Sequence, residues 1–63
     1  MPLTRFQQAV VDALKEINMP ALAQKAEKNY LAGQTYPPVR GLPSSVKRKI
    51  DRANFEISRA KGR

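Results

Sequence analysis

Near the start of the chain, Phe6, Val10, Ala13, Leu14 and Ile17 recur at i, i+4, i+7, i+8 and i+11. A helix turning once every ~3.6 residues puts all five on one face, so the pattern predicts a first helix from about Thr4 to Ile17. Thr4 and Gln7 have the spacing of a capping box, in which the hydroxyl accepts from an early amide and the glutamine reaches back. Asp12 and Lys15 fall on the far side. The helix is interrupted at Asn18-Met19-Pro20, because proline disfavours the helical conformation of the residue before it.

Pro20 suits the first position of a second helix, where a missing N–H is not needed. That helix is predicted from about Pro20 to Ala32. Leu22, Ala23, Ala26 and Tyr30 share its apolar face, and Lys25 and Lys28 lie opposite. Gly33 is placed to end it in a left-handed conformation. The short join implies a tight corner between the first two helices.

Residues 33–43 form a connector, since three prolines and Gly41 exclude a helix there. Val39 and Leu42 are its apolar residues expected to reach the core, and Tyr36-Pro37-Pro38 favours extended polyproline geometry. A third helix is predicted over about 44–61, capped by Ser44 or Ser45. Val46, Ile50, Ala53, Ile57 and Ala60 repeat at i, i+4, i+7, i+11 and i+14 as a narrow seam. Lys61 and Arg63 sit at its C-terminal end, where the helix dipole favours cations, and Gly62 ends it. The fold class expected is therefore all-α, a single small domain of three helices over residues 1–63.

At 63 residues, the chain is shorter than most self-sufficient domains, so packing, self-association or a partner must supplement its core. It has no cysteine and no histidine. That removes disulfides, thiolate metal sites and the commonest general base. No phosphate-binding glycine loop is present. Asp12 and Glu16 lie on the outer side of the first helix, and a helix cap accounts for the serines. The expectation is a non-enzymatic protein with no cofactor and no metal. No apolar run has the length of a membrane span, and residues 1–5 have no secretory pattern. A cytoplasmic protein with no membrane partner is expected.

Charge changes the picture most. The net charge is +7. Residues 1–36 carry four basic and three acidic side chains, whereas residues 37–63 carry eight basic and two acidic ones. Such asymmetry marks a localised interaction surface. It is concentrated on the third helix, which opens with Lys47-Arg48-Lys49. Arg48, Arg52, Phe55 and Arg59 then form a second stripe opposite the apolar seam.

An aromatic ring among three arginines has several readings. Arginine pairs with phosphate, and the ring can stack on an unpaired base. Arginine and aromatic residues are also enriched in protein interfaces. Alternatively, the ring fills a satellite core lined by arginine stems, or joins two copies into a homodimer. A helix-turn-helix is not assigned, because the only tight turn precedes the second helix, which carries little net charge.

Residues Ile17-Asn18-Met19-Pro20-Ala21-Leu22-Ala23-Gln24-Lys25-Ala26-Glu27-Lys28 resemble the second-helix segment of the theta accessory subunits of bacterial replicative polymerases. That resemblance implies a small three-helix protein. It covers about a dozen residues. The proline-rich connector and basic third helix depart from the family's pattern, and no site residue is carried over.

The function expected from the residues is nucleic-acid binding, DNA first, in a regulatory or accessory role of the kind phages and plasmids encode. Lys47, Arg48, Lys49, Arg52 and Arg59 would meet phosphates, and Phe55 would add an apolar or stacking contact. The alternative is an adaptor or inhibitor that docks an acidic surface of a larger host enzyme or complex.

Overall fold

Thr4 opens α1 (Arg5–Glu16) with the expected capping box: its hydroxyl accepts the Gln7 amide at 3.2 Å, and Gln7 Oε1 accepts the Thr4 amide at 3.1 Å. Two further helices follow, α2 (Pro20–Leu31) and α3 (Ser44–Lys61). The computed structural model describes residues 3–37 and 39–61, so Pro38, Gly62 and Arg63, all named in the sequence reading, lie outside the described residues. No strand occurs among the described residues. No described helix is long and apolar enough to cross a membrane.

α1 stops at Glu16, four residues before Pro20, and the stop is made by Asn18. Its φ of 68° is left-handed, a region asparagine tolerates better than most side chains. The Asn18 amide donates to the Lys15 carbonyl at 3.0 Å and the Met19 amide to Leu14 at 2.9 Å, so two otherwise unpaired carbonyls are satisfied. The same motif ends α2. Gly33 has φ 78°, its amide donates to Tyr30 at 3.0 Å, and the Gln34 amide donates to Asn29 at 2.8 Å.

α3 begins differently from the expectation. The Lys47 amide donates to the Pro43 carbonyl at 3.0 Å, which makes Pro43 the capping position and Ser44 and Ser45 the first two helical residues. A residue at the cap needs no N–H for the helix, so proline fits there, and it also keeps Leu42 extended.

The helices are not equivalent. α1 packs along both α2 and α3, while α2 and α3 make no close backbone approach to each other among the described residues. This is why α1 buries more than the single seam its spacing suggested. Gln7, Val10, Val11, Ala13 and Leu14 are all buried, spanning an arc of about 160° at ~100° per residue. Val11 and Gln7 extend the arc, and Phe6 and Ile17, at the two ends of the helix, are partly buried. Ala23, Ala26 and Tyr30 of α2 and Val46, Ile50, Ala53 and Ile57 of α3 complete the core. Burying a side chain such as Leu14 or Ile50 contributes about 1.5–3 kcal/mol, so these few residues hold most of the stability.

Two burial expectations fail. Ala60 is exposed, because it borders an open concavity between α3 and the start of α1 instead of packing under it. Val39 is 40% exposed. Leu42 does pack against the core, but the connector residue that fills it is Tyr36, only 2% exposed. Its ring meets Tyr30 edge to face, with centroids 6.5 Å apart, and it buries more area than a valine.

Asn54 of α3 holds that connector in place. Its Nδ2 donates to the Tyr36 carbonyl and its Oδ1 accepts the Tyr36 amide, while the Tyr30 hydroxyl donates to the same Oδ1 at 3.3 Å. The end of α2, the connector and α3 are thus tied at one point.

Candidate functional site

With Val46, Ile50, Ala53 and Ile57 turned inward, the helical period turns the opposite side of α3 to solvent. Lys47, Arg48, Lys49, Arg52, Phe55 and Arg59 are all exposed. Phe55 is 62% exposed, the most open of the large apolar side chains described. It is neither a core residue nor covered by another helix, so the satellite-core reading does not hold for it.

The stripe is not a uniform surface. Arg48, Lys49, Arg52 and Phe55 line a shallow open groove together with Asp51 and with Phe6 from the first turn of α1. Arg52 lies across the groove from its own helix to the neighbouring one: its guanidinium carbon sits 5.0 Å from the centre of the Phe6 ring. A cation over an aromatic face is held by the ring quadrupole, by about 0.5–1 kcal/mol at an exposed site. Arg52 is therefore positioned by Phe6, while Arg48 and Lys49 extend from the helix surface. Phe6 is the residue the linear pattern did not identify as part of the site. Its spacing assigned it to the α1 core face, and only the packing of α1 on α3 brings it beside Arg52.

Two of the expected residues stand apart. Arg59 lines a second concavity with Thr4, Gln7, Glu56, Ile57 and Ala60, where the start of α1 lies against the C-terminal half of α3. Lys47 lines neither concavity. The groove itself combines three cations, one carboxylate and two aromatic rings. Such a surface attracts an anionic partner while offering it an apolar contact.

Asn54 fixes how this face is presented. It precedes Phe55 on α3 and locks the helix to the connector through Tyr36, with distances of 2.9 Å to the amide and 2.7 Å to the carbonyl. The rotation of α3 about its own axis is set by the buried seam on one side and this clamp on another.

No protein-family model, curated protein or solved structure matches the chain, and the likeness of residues 17–28 to the theta subunits carries no functional assignment.

Proposed function

We propose that the chain is a small non-enzymatic binding protein that docks on nucleic acid, DNA in the first place, through the exposed basic face of α3. The observation that carries this reading is the groove in which Arg48, Lys49 and Arg52 surround exposed Phe55, in a chain of net charge +7. Arg48 to Arg59 spans about 16 Å at ~1.5 Å per residue, the length of roughly five steps of a nucleic-acid strand. Four or five phosphates can therefore be met by Lys47, Arg48, Lys49, Arg52 and Arg59. Its role on this reading is that of a regulatory or accessory factor in the cytoplasm.

Titration of labelled DNA against salt tests the proposal. With four or five phosphates neutralised, log K should fall against log salt with a slope of roughly −4. Arg48→Glu with Lys49→Glu should abolish binding and leave the helix content unchanged, whereas Lys25→Glu with Lys28→Glu should weaken it little. Equal losses from both pairs would show that diffuse charge, not the α3 face, does the binding, and no binding at low salt by a folded sample would remove the nucleic-acid reading.

The two phenylalanines in the groove favour a second reading, a protein partner with an acidic surface, because aromatic and arginine residues form interface hot spots. Capture of a host protein that survives nuclease treatment, with no DNA or RNA bound by the purified chain, would select it.

A further inference from the structure

We propose that the groove between α3 and the first turn of α1 takes unpaired bases, with Phe55 as the stacking platform, so that the protein prefers single strands to duplex. This rests on the nucleic-acid reading above and narrows it. The argument starts from Phe55, which is 62% exposed amid Arg48, Lys49 and Arg52. Phosphates alone give a phenyl ring nothing to contact, and pressing it on a duplex backbone strips water from charged groups. In a duplex the base faces are covered by their neighbours. A single strand offers a π-face and a phosphate within one nucleotide, which is the combination of apolar and cationic groups this groove presents.

Two further features agree. The Arg52 guanidinium is held 5.0 Å from the Phe6 ring, so it is placed on the groove before any ligand arrives. Asp51, the one carboxylate in the lining, would repel a ligand that showed only phosphate. Beside a base edge it is an acceptor for an exocyclic amino group such as that of cytosine. From Arg48 to Phe55 the groove runs about 10 Å along the helix, so it takes only a short segment of a strand.

The chain has no tryptophan, so Phe55→Trp installs a single fluorescent reporter on the platform. Four probes compared at equal phosphate concentration, each about a dozen nucleotides long per strand to fit a small single-strand site, separate the contributions. They are a cytosine- and thymine-containing DNA strand, its RNA counterpart, its duplex, and an abasic strand. The DNA or RNA strand should bind about tenfold or more tighter than the abasic strand, the effect of one stacked base. Either should quench the indole emission of the Phe55→Trp variant, and the duplex and abasic strand should not. Phe55→Ala should erase the difference between the base-bearing and abasic strands while its melting curve stays in place.

Duplex binding equal to single-strand binding, or abasic binding equal to base-bearing binding, would overturn the inference and leave the basic face as a nucleic-acid surface. No binding of any probe would overturn both. Which of the DNA and RNA strands binds tighter identifies the source of the unpaired base.

Discussion

Asn54 and Tyr36 exchange two hydrogen bonds across 18 positions of sequence: the side-chain amide donates to the Tyr36 carbonyl and its oxygen accepts the Tyr36 amide, much as a neighbouring strand would. A connector with no regular secondary structure is thereby pinned to a helix. Asn54→Ala leaves both Tyr36 backbone groups without a partner in a buried setting and should destabilise the fold by about 2–4 kcal/mol. Asn54→Asp should also destabilise it, because a carboxylate has no N–H for the Tyr36 carbonyl. Urea unfolding followed by circular dichroism gives both values. A change under ~0.5 kcal/mol for Asn54→Ala, the size of an ordinary surface substitution, would show the clamp to be incidental.

The two tyrosines at this point should respond in opposite ways to loss of their hydroxyls. The Tyr36 hydroxyl is buried with no hydrogen-bond partner, so Tyr36→Phe should leave stability unchanged or raise it by about 1 kcal/mol. Tyr30→Phe gives up the bond to Asn54 and should lower it. Thermal melts of the two variants side by side decide the matter.

Stability should fall at alkaline pH. Burial, with Tyr36 beside it, pushes the Tyr30 phenol up to about 12 from the ordinary value of 10.0. Burial raises Tyr36 as well. Between those values the folded state holds protons that the unfolded state has released. The contribution is complete below pH ~10 and is lost as pH rises towards about 12. Urea midpoints across this window, read with phenolate absorbance, should fall while the tyrosines of the folded protein remain protonated. A flat midpoint would mean that the pair is open to solvent.

Phe55→Ala and Ile50→Ala should diverge although both truncate a large apolar side chain of α3. Ile50 is fully buried and its loss should cost ~2–5 kcal/mol, most of the stability of so small a domain. Phe55→Ala should stay within ~0.5 kcal/mol of the parent. Comparable destabilisation by the two would place Phe55 in a core.

Asn18 and Gly33 occupy the left-handed positions after α1 and α2. A Cβ at Gly33 would meet nothing within 4 Å, so Gly33→Ala tests backbone strain alone, and about 1–2 kcal/mol should be lost. Asn18→Gly should gain a few tenths of a kcal/mol, because glycine enters this region without a Cβ penalty. Chemical denaturation of both variants checks the pair. No loss for Gly33→Ala would show that the α2 end relaxes.

The local features were legible in the sequence because their causes are local. The capping box at Thr4 and Gln7, the start of α2 at Pro20, the stop at Gly33 and most of the α3 seam each follow from residues within a turn or two of one another. Apart from the α3 cap, which falls on Pro43 and not on a serine, the misreadings concern distant partners. Val11 is buried because two helices cover α1, a fact no single apolar stripe contains. Tyr36 displaces Val39 from the core because Asn54, far along the chain, binds its backbone. The exposed basic face of α3 could be read from its spacing, since it is simply the side opposite the seam. The contribution of Phe6 to the groove could not, because it depends on how α1 crosses α3.

That α2 and α3 each pack along α1 and not along one another also shapes how the molecule comes apart. Once the Tyr30 and Tyr36 hydrogen bonds to Asn54 are broken, either outer helix can lift while the other stays docked, and each such event strips one flank of α1. Amides along α2 and α3 should therefore exchange with solvent through these partial openings, at lower free energy than complete unfolding. The inner amides of α1 have no such route: both flanks must be vacated first. Proton exchange on Val10, Val11 and Leu14 should report the free energy of global unfolding, which makes the central helix the slowest clock in the structure.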